Sequence, residues 1–114
     1  MIDKLKPDRL YRGDTMRRAW IIRDSDKAPI DLTGVTARVH IRDADGALRI
    51  AASTADGRIT ITPLEGRIDM LVEYPITAIE PGSYRYDLEV THADGTRQTY
   101  AQRVLIIYED MSRG

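Results

Sequence analysis

From Tyr84 to Thr91 apolar and polar side chains alternate without a break: Tyr84, Tyr86, Leu88 and Val90 against Arg85, Asp87, Glu89 and Thr91. Successive side chains of a β-strand point to opposite faces, so a strand turns this order into one dry face and one wet one, whereas a helix would scatter it. Pro81-Gly82 opens the segment and Asp94-Gly95 closes it, Gly supplying the positive φ of a tight turn and Asp bonding its own backbone. Beyond that turn comes Val104-Leu105-Ile106-Ile107, an unbroken apolar run that reads as a strand covered on both sides. The stretch 81–108 therefore predicts a long hairpin, around which the rest of the chain is arranged.

Other segments follow the same period. Met16, Arg18, Trp20 and Ile22 alternate with Arg17, Ala19 and Ile21, and Val35, Ala37, Val39 and Ile41 alternate with Thr36, Arg38, His40 and Arg42. Strands are also expected over 48–52, over 59–62 and over 67–74, the last with Ile68, Met70, Val72 and Tyr74 inward and Asp69, Leu71 and Glu73 outward. Residues 75–80 are short enough for a single helical or 3₁₀ turn. Ala-Asp-Gly recurs at 44–46, 55–57 and 93–95, read as independent hairpin corners with Gly in the left-handed region. No segment holds the apolar spacing of a sustained helix. The count, about seven strands with turn signals between them, is that of an all-β antiparallel sandwich. Residues 1–14 are expected to form an N-terminal arm that lies over the surface or docks on a neighbouring subunit, 15–108 the sandwich, and 109–114 a tail.

A chain of 114 residues fits one domain that buries roughly two-thirds of its unfolded surface. Its formal net charge is −1 from 17 basic and 18 acidic residues, so no global field draws it to nucleic acid or an anionic membrane. It has no Cys, hence no disulfide framework, no thiolate nucleophile and no thiolate metal site. The first residues lack the apolar core of a signal peptide, and no apolar run reaches membrane-spanning length. Arg far outnumbers Lys, a bias read either as genomic composition or as arginine-mediated contacts.

Candidate chemistry is sparse. Asp24 with Asp26, and Asp43 with Asp45, form two Asp-x-Asp pairs, but the bidentate Glu that closes an EF-hand loop is replaced by Val35 in one register and Thr54 in the other. The pairs read as turn formers, with a looser sandwich-end calcium site as the alternative. His40 on the wet face and His92 beside a turn have no metal-ligand spacing, and none of Ser25, Ser53, Ser83 and Ser112 sits in a nucleophile elbow. Trp20 reads as a core residue rather than a stacking platform. Arg38, His40 and Arg42 make a short basic strip without interleaved aromatics, a solvated face or protein contact rather than a nucleic-acid site. Arg12-Gly13-Asp14 matches an integrin tripeptide with no secretion signal beside it. No catalytic residue, metal site or cofactor is predicted.

Sheet edges invite pairing with other chains. Leu105, Ile106 and Ile107 cannot all face one core, so alternate members are expected to meet another sheet, the N-terminal arm or a neighbouring subunit. For an intermolecular contact the candidates are Leu105 and Ile107, with Ile21 and Leu71 as further outward apolar residues, and a homo-oligomer is one expected outcome.

Pro29-Ile30-Asp31-Leu32-Thr33-Gly34 before a strand, then Thr77 through Leu88 with its Pro81-Gly82-Ser83-Tyr84-Arg85-Tyr86-Asp87-Leu88 core, then Asp94-Gly95, resemble a group of small tailed-phage and prophage proteins. These in turn are similar to the immunoglobulin-like N-terminal domain of phage baseplate upper proteins. The likeness spans about Thr15 to Tyr108. Where such proteins often carry a Gly in the last strand, this chain has Gln102-Arg103. The resemblance implies an immunoglobulin-like β-sandwich that is a non-enzymatic structural or adaptor component of a virion tail or baseplate, assembled in the bacterial cytoplasm with other phage structural proteins. A carbohydrate-binding or adhesin module using the loops at Asp24–Asp26 and Asp43–Asp45 is the alternative.

Overall fold

The computed structural model describes residues 7–109. The start of the expected arm, and residues 110–114 of the expected tail with Ser112, lie outside the described residues. Among the described residues eight strands follow one another: β1 (Asp8–Tyr11), β2 (Met16–Ile21), β3 (Thr36–Arg42), β4 (Leu48–Ser53), β5 (Ile59–Thr62), β6 (Arg67–Val72), β7 (Gly82–Thr91) and β8 (Arg97–Tyr108). Five form one sheet in the order β1-β8-β7-β3-β4, and three form the other in the order β2-β6-β5. This is the immunoglobulin-like sandwich, with the β7–β8 hairpin beside β3 in one layer and the meander of β5 and β6 beside β2 in the other. Every ladder is antiparallel except β1 on β8, which is parallel.

The alternation read from the sequence is what fills the interior. Ala37, Val39 and Ile41 of β3 and Tyr84, Tyr86, Leu88 and Val90 of β7 are buried against Met16 of β2 and Ile68, Met70 and Val72 of β6. Trp20 packs partly buried at the edge of this core, as expected. At the corner where the chain crosses from β6 to β7, the Tyr84 hydroxyl donates to the backbone carbonyl of Glu80. That is the tyrosine corner of immunoglobulin-like domains, which anchors the start of the strand to the loop before it.

Several expectations are corrected. The expected arm ends earlier than residue 14, because Asp8–Tyr11 completes the large sheet as β1 and buries Leu10 against the core. The turn at 55–57 is not a hairpin corner: β4 and β5 belong to different sheets, so it carries the chain across the sandwich. The corners at 44–46 and 93–95 do close hairpins, β3–β4 and β7–β8, and Gly46 and Gly95 have φ of +84° and +90°. Residues 74–77 make a turn without a helix, and a 3₁₀ turn occurs instead at Pro63–Glu65, between β5 and β6.

That 3₁₀ turn joins two otherwise separate stretches. Gly66, at φ +60°, accepts the Ile22 N–H at 2.8 Å; Leu32 N–H donates to the Pro63 carbonyl, and Ile30 N–H to the Ile22 carbonyl, both at 3.0 Å. The long connection from β2 to β3 is thereby held against the smaller sheet, and buried Leu32 closes that end of the core.

Candidate interaction surfaces

Of the four residues expected at an interface, two are in the core. Leu105 and Ile107 are 0% and 1% exposed. The cause is a bulge: Leu88 pairs with Ala101 but Glu89 with Thr99, so Tyr100 is an extra residue on β8. A bulge shifts a strand's register by one, and a shift of one exchanges its faces. Before the bulge the even residue Gln98, though exposed, shares the face of Val90; beyond Tyr100 the odd residues take that face, bringing Leu105 beside Tyr84 and Ile107 beside Gly82. The surplus apolar residues that face solvent are therefore Val104, 39% exposed, and partly exposed Ile106.

On the outer face of the large sheet these two continue into an apolar stripe. Ile106 stands opposite Arg9 of β1, and Tyr11 opposite Tyr108, their rings 5.8 Å apart and tilted by 45°. Toward the sheet centre the face turns polar and open, forming a groove lined by His40, Arg42, Arg85, Asp87, Gln102 and Val104. Arg42 and Arg85 are directly opposed across the β3–β7 ladder, as are His40 with Asp87 and Arg38 with Glu89. Of these rows only the last forms an ion pair, at 2.9 Å. Partial burial, with Arg38 and Arg42 on either side, holds the His40 imidazole below its ordinary value, against the pull of Asp87 and Glu89, so it is neutral near neutral pH. The basic strip expected at Arg38, His40 and Arg42 is thus real as a strand face, and β7 answers it with two carboxylates and one more arginine.

Ile21 and Leu71 do reach solvent together, on the outer face of the smaller sheet. Ile21 lies opposite Arg67 and Leu71 opposite Arg17, at the two ends of the β2–β6 ladder. Between them are Ala19 and the Arg67–Asp69 ion pair, formed along β6 at 2.9 Å.

The two Asp pairs are turn formers. One oxygen of Asp24 accepts the N–H groups of Asp26 and Ala28 at 2.8 and 3.0 Å, and one oxygen of Asp43 accepts those of Asp45 and Ala47 at 2.9 and 3.0 Å. The motif is the same, first in the connection that enters β3 and then in the turn that leaves it, so the pairs do not converge. Neither loop contains an aromatic residue. Among the described residues no three carboxylate or imidazole groups are placed to hold a metal ion. The hydrogen bond from Ala47 N–H, with those from Asp45 and Arg49, keeps the Asp43 carboxyl below the usual aspartate range, although slight desolvation opposes it. Asp43→Ala is expected to lower the melting temperature and Asp45→Ala to leave it unchanged, with added calcium shifting neither; a calcium-dependent rise in the wild type, lost in both variants, would reinstate a metal site.

The tripeptide Arg12-Gly13-Asp14 spans the link from β1 to β2, and its three backbone N–H groups donate to the carbonyls of Tyr108, Thr77 and Tyr11. It is a tied turn rather than a protruding loop.

One cluster escaped the sequence reading. Asp8 of β1, Arg18 of β2 and Tyr86 of β7 meet between the two sheets. Arg18 grips Asp8 with Nε at 2.6 Å and Nη2 at 2.7 Å, and the Tyr86 hydroxyl donates to Asp8 Oδ2 at 2.6 Å. Desolvation works to raise the Asp8 carboxyl, but the hydrogen bonds from Arg18 and Tyr86 and the guanidinium charge outweigh it and hold it below the ordinary value. Burial, with Asp8 as a hydrogen-bond acceptor, pushes the Tyr86 phenol up, so it remains a donor at any physiological pH. Tyr86 stands two residues after the corner tyrosine, where antibody domains place the second cysteine of the inter-sheet disulfide. In a chain without cysteine this polar bridge joins the sheets at that place. A signal was present: Arg18 shares the inward face of Met16, Trp20 and Ile22, and an arginine there needs a buried acceptor.

A scan against protein-family models finds no match, and no curated protein matches significantly. Solved structures do match in fold. CopC from Methylosinus trichosporium OB3b superposes with a TM-score of 0.51 at 12% identity, over 94% of this chain and 88% of that one. The PmoD soluble domain from Methylocystis sp. ATCC 49242 (Rockwell) gives 0.50 at 14% identity, over 94% and 85%. At such identity the likeness is one of architecture: this chain is an all-β sandwich of the immunoglobulin-like kind, similar to these domains in fold.

Proposed function

We propose that this chain is a non-enzymatic assembly module, a structural or adaptor component of a tailed-phage or prophage virion that joins other subunits through the outer face and edge of its larger sheet. The observation that carries the reading is the apolar stripe of Val104, Ile106, Tyr108 and Tyr11, which faces solvent on a sheet whose own core is already filled. Contiguous apolar surface bordered by polar groups is what protein contacts use. The virion assignment draws on the Pro81–Leu88 motif and its spacing from the Asp94-Gly95 turn. In the structure that motif is the tyrosine corner and the start of β7.

The test is mass spectrometry of density-gradient-purified phage particles from the bacterium that encodes the gene. Peptides of this chain are expected to band with the particles at a fixed ratio to the tail proteins. Their absence from particles, with the chain abundant in the same lysate, overturns the virion assignment.

A further inference from the structure

The outer face of β7 presents Ser83, Arg85, Asp87 and Glu89 in order, two residues and therefore about 7 Å apart at each step. Glu89 is engaged by Arg38. Arg85 and Asp87 are left: among the described residues the Arg85 guanidinium has no hydrogen-bond or ion-pair partner, and the half-buried Asp87 carboxylate, opposite the neutral His40, has no hydrogen-bond donor. Arg67 and Asp69, at the same spacing along β6, do close onto each other. Arg85 also faces Arg42 directly across the ladder, a like-charge opposition that costs stability unless an anion comes from outside. Apolar Val104 lies beside Arg85 in the same row, on β8.

A positive and a negative group adjacent along one strand form a self-complementary pattern. A two-fold axis lying in the contact plane, across the strands between these two rows, sets each positive group against the negative one of the other copy. The net charge of −1 puts no global repulsion in the way. We propose that the outer face of the five-stranded sheet packs on the same face of a second copy of this chain, with each Arg85 meeting the partner's Asp87 and Val104 covered beside them. This rests on the assembly reading above and names its first partner.

The test is sedimentation equilibrium of the full chain from low to high micromolar concentration, with Arg85→Asp, Asp87→Arg and the double exchange, each checked by thermal melting. The wild type is expected to move from the one-chain mass of 12.9 kDa toward twice that value. Each single exchange should weaken the dimer by about tenfold or more, since it sets like charges face to face. The double exchange rebuilds the pattern in reverse and should return within about threefold of the wild type. A wild type that stays at one chain throughout overturns the inference while leaving the virion assignment to the particle analysis. A dimer indifferent to Arg85→Asp overturns it by placing the contact on another face. A dimer lost in the single variants and not regained in the double overturns the Arg85–Asp87 pairing.

Discussion

Replacing Gly66 with alanine is expected to lower the melting temperature by roughly 15 °C, a loss on the order of 3–4 kcal/mol for a domain of this size. A Cβ built at Gly66 would stand 2.8 Å from the Ile22 carbonyl oxygen, 2.9 Å from that of Ile30 and 3.1 Å from the Ile30 nitrogen. All three are backbone atoms in the hydrogen-bonded seam that holds the β2–β3 connection to the smaller sheet, so no flexible side chain can give way. The φ of +60° adds the cost of a left-handed conformation. Gly46 provides the control: it has φ +84° but nothing within 4 Å of its Cβ position, so Gly46→Ala pays the backbone term alone, about 1 kcal/mol. Equal melting temperatures for the two variants would show that the seam around Gly66 opens at little cost.

The second large effect concerns the polar bridge between the sheets. Asp8→Ala leaves the Arg18 guanidinium and the Tyr86 hydroxyl without their shared acceptor, and is expected to cost about 2–3 kcal/mol. Tyr86→Phe removes one donor and keeps the ion pair, for about 1 kcal/mol. The pH dependence has a fixed sign. Because the folded state holds Asp8 below the ordinary aspartate value of 3.8, the charged carboxylate is the form that folding favours. Its contribution is complete above that value and disappears as pH falls through the lower, folded one. Urea titrations of wild type and Asp8→Ala should therefore differ most near neutral pH and converge in acid. A difference that persists unchanged well below pH 3.8 would mean that packing of β1, rather than the charge, is what the substitution removes.

What could be read from the sequence was what local alternation encodes. Tyr84 to Val90 and Val35 to Ile41 declared their inward faces correctly, because a central antiparallel strand with one wet face writes that pattern directly into its residues. Strand β1 was illegible for the opposite reason. Its four residues bury only Leu10, and its partner β8 lies almost the whole chain away, so nothing local distinguishes it from an arm. The inward placement of Leu105 and Ile107 is not legible, because an unbroken apolar run carries no parity, and the bulge at Tyr100 that decides it leaves no mark that composition records. Of the candidate surfaces, Ile21 and Leu71 were legible as outward apolar residues. The Arg42–Arg85 opposition was not, since it requires knowing the register between β3 and β7. The Asp pairs were recognisable as turn chemistry from their spacing, and the structure shows the bonds that make them so.

The parallel pairing of β1 with β8 also fixes how the domain carries load. Asp8 lies beside Leu105 and Tyr11 beside Tyr108, so whatever precedes β1 attaches at one end of this ladder and whatever follows β8 attaches at the other. Tension between those two attachments pulls the strands past each other along their length. All the hydrogen bonds of the ladder, together with the Asp8–Arg18–Tyr86 bridge behind it, then resist at once instead of opening one after another. In an assembly under traction, the domain would transmit force through its edge without unzipping its core.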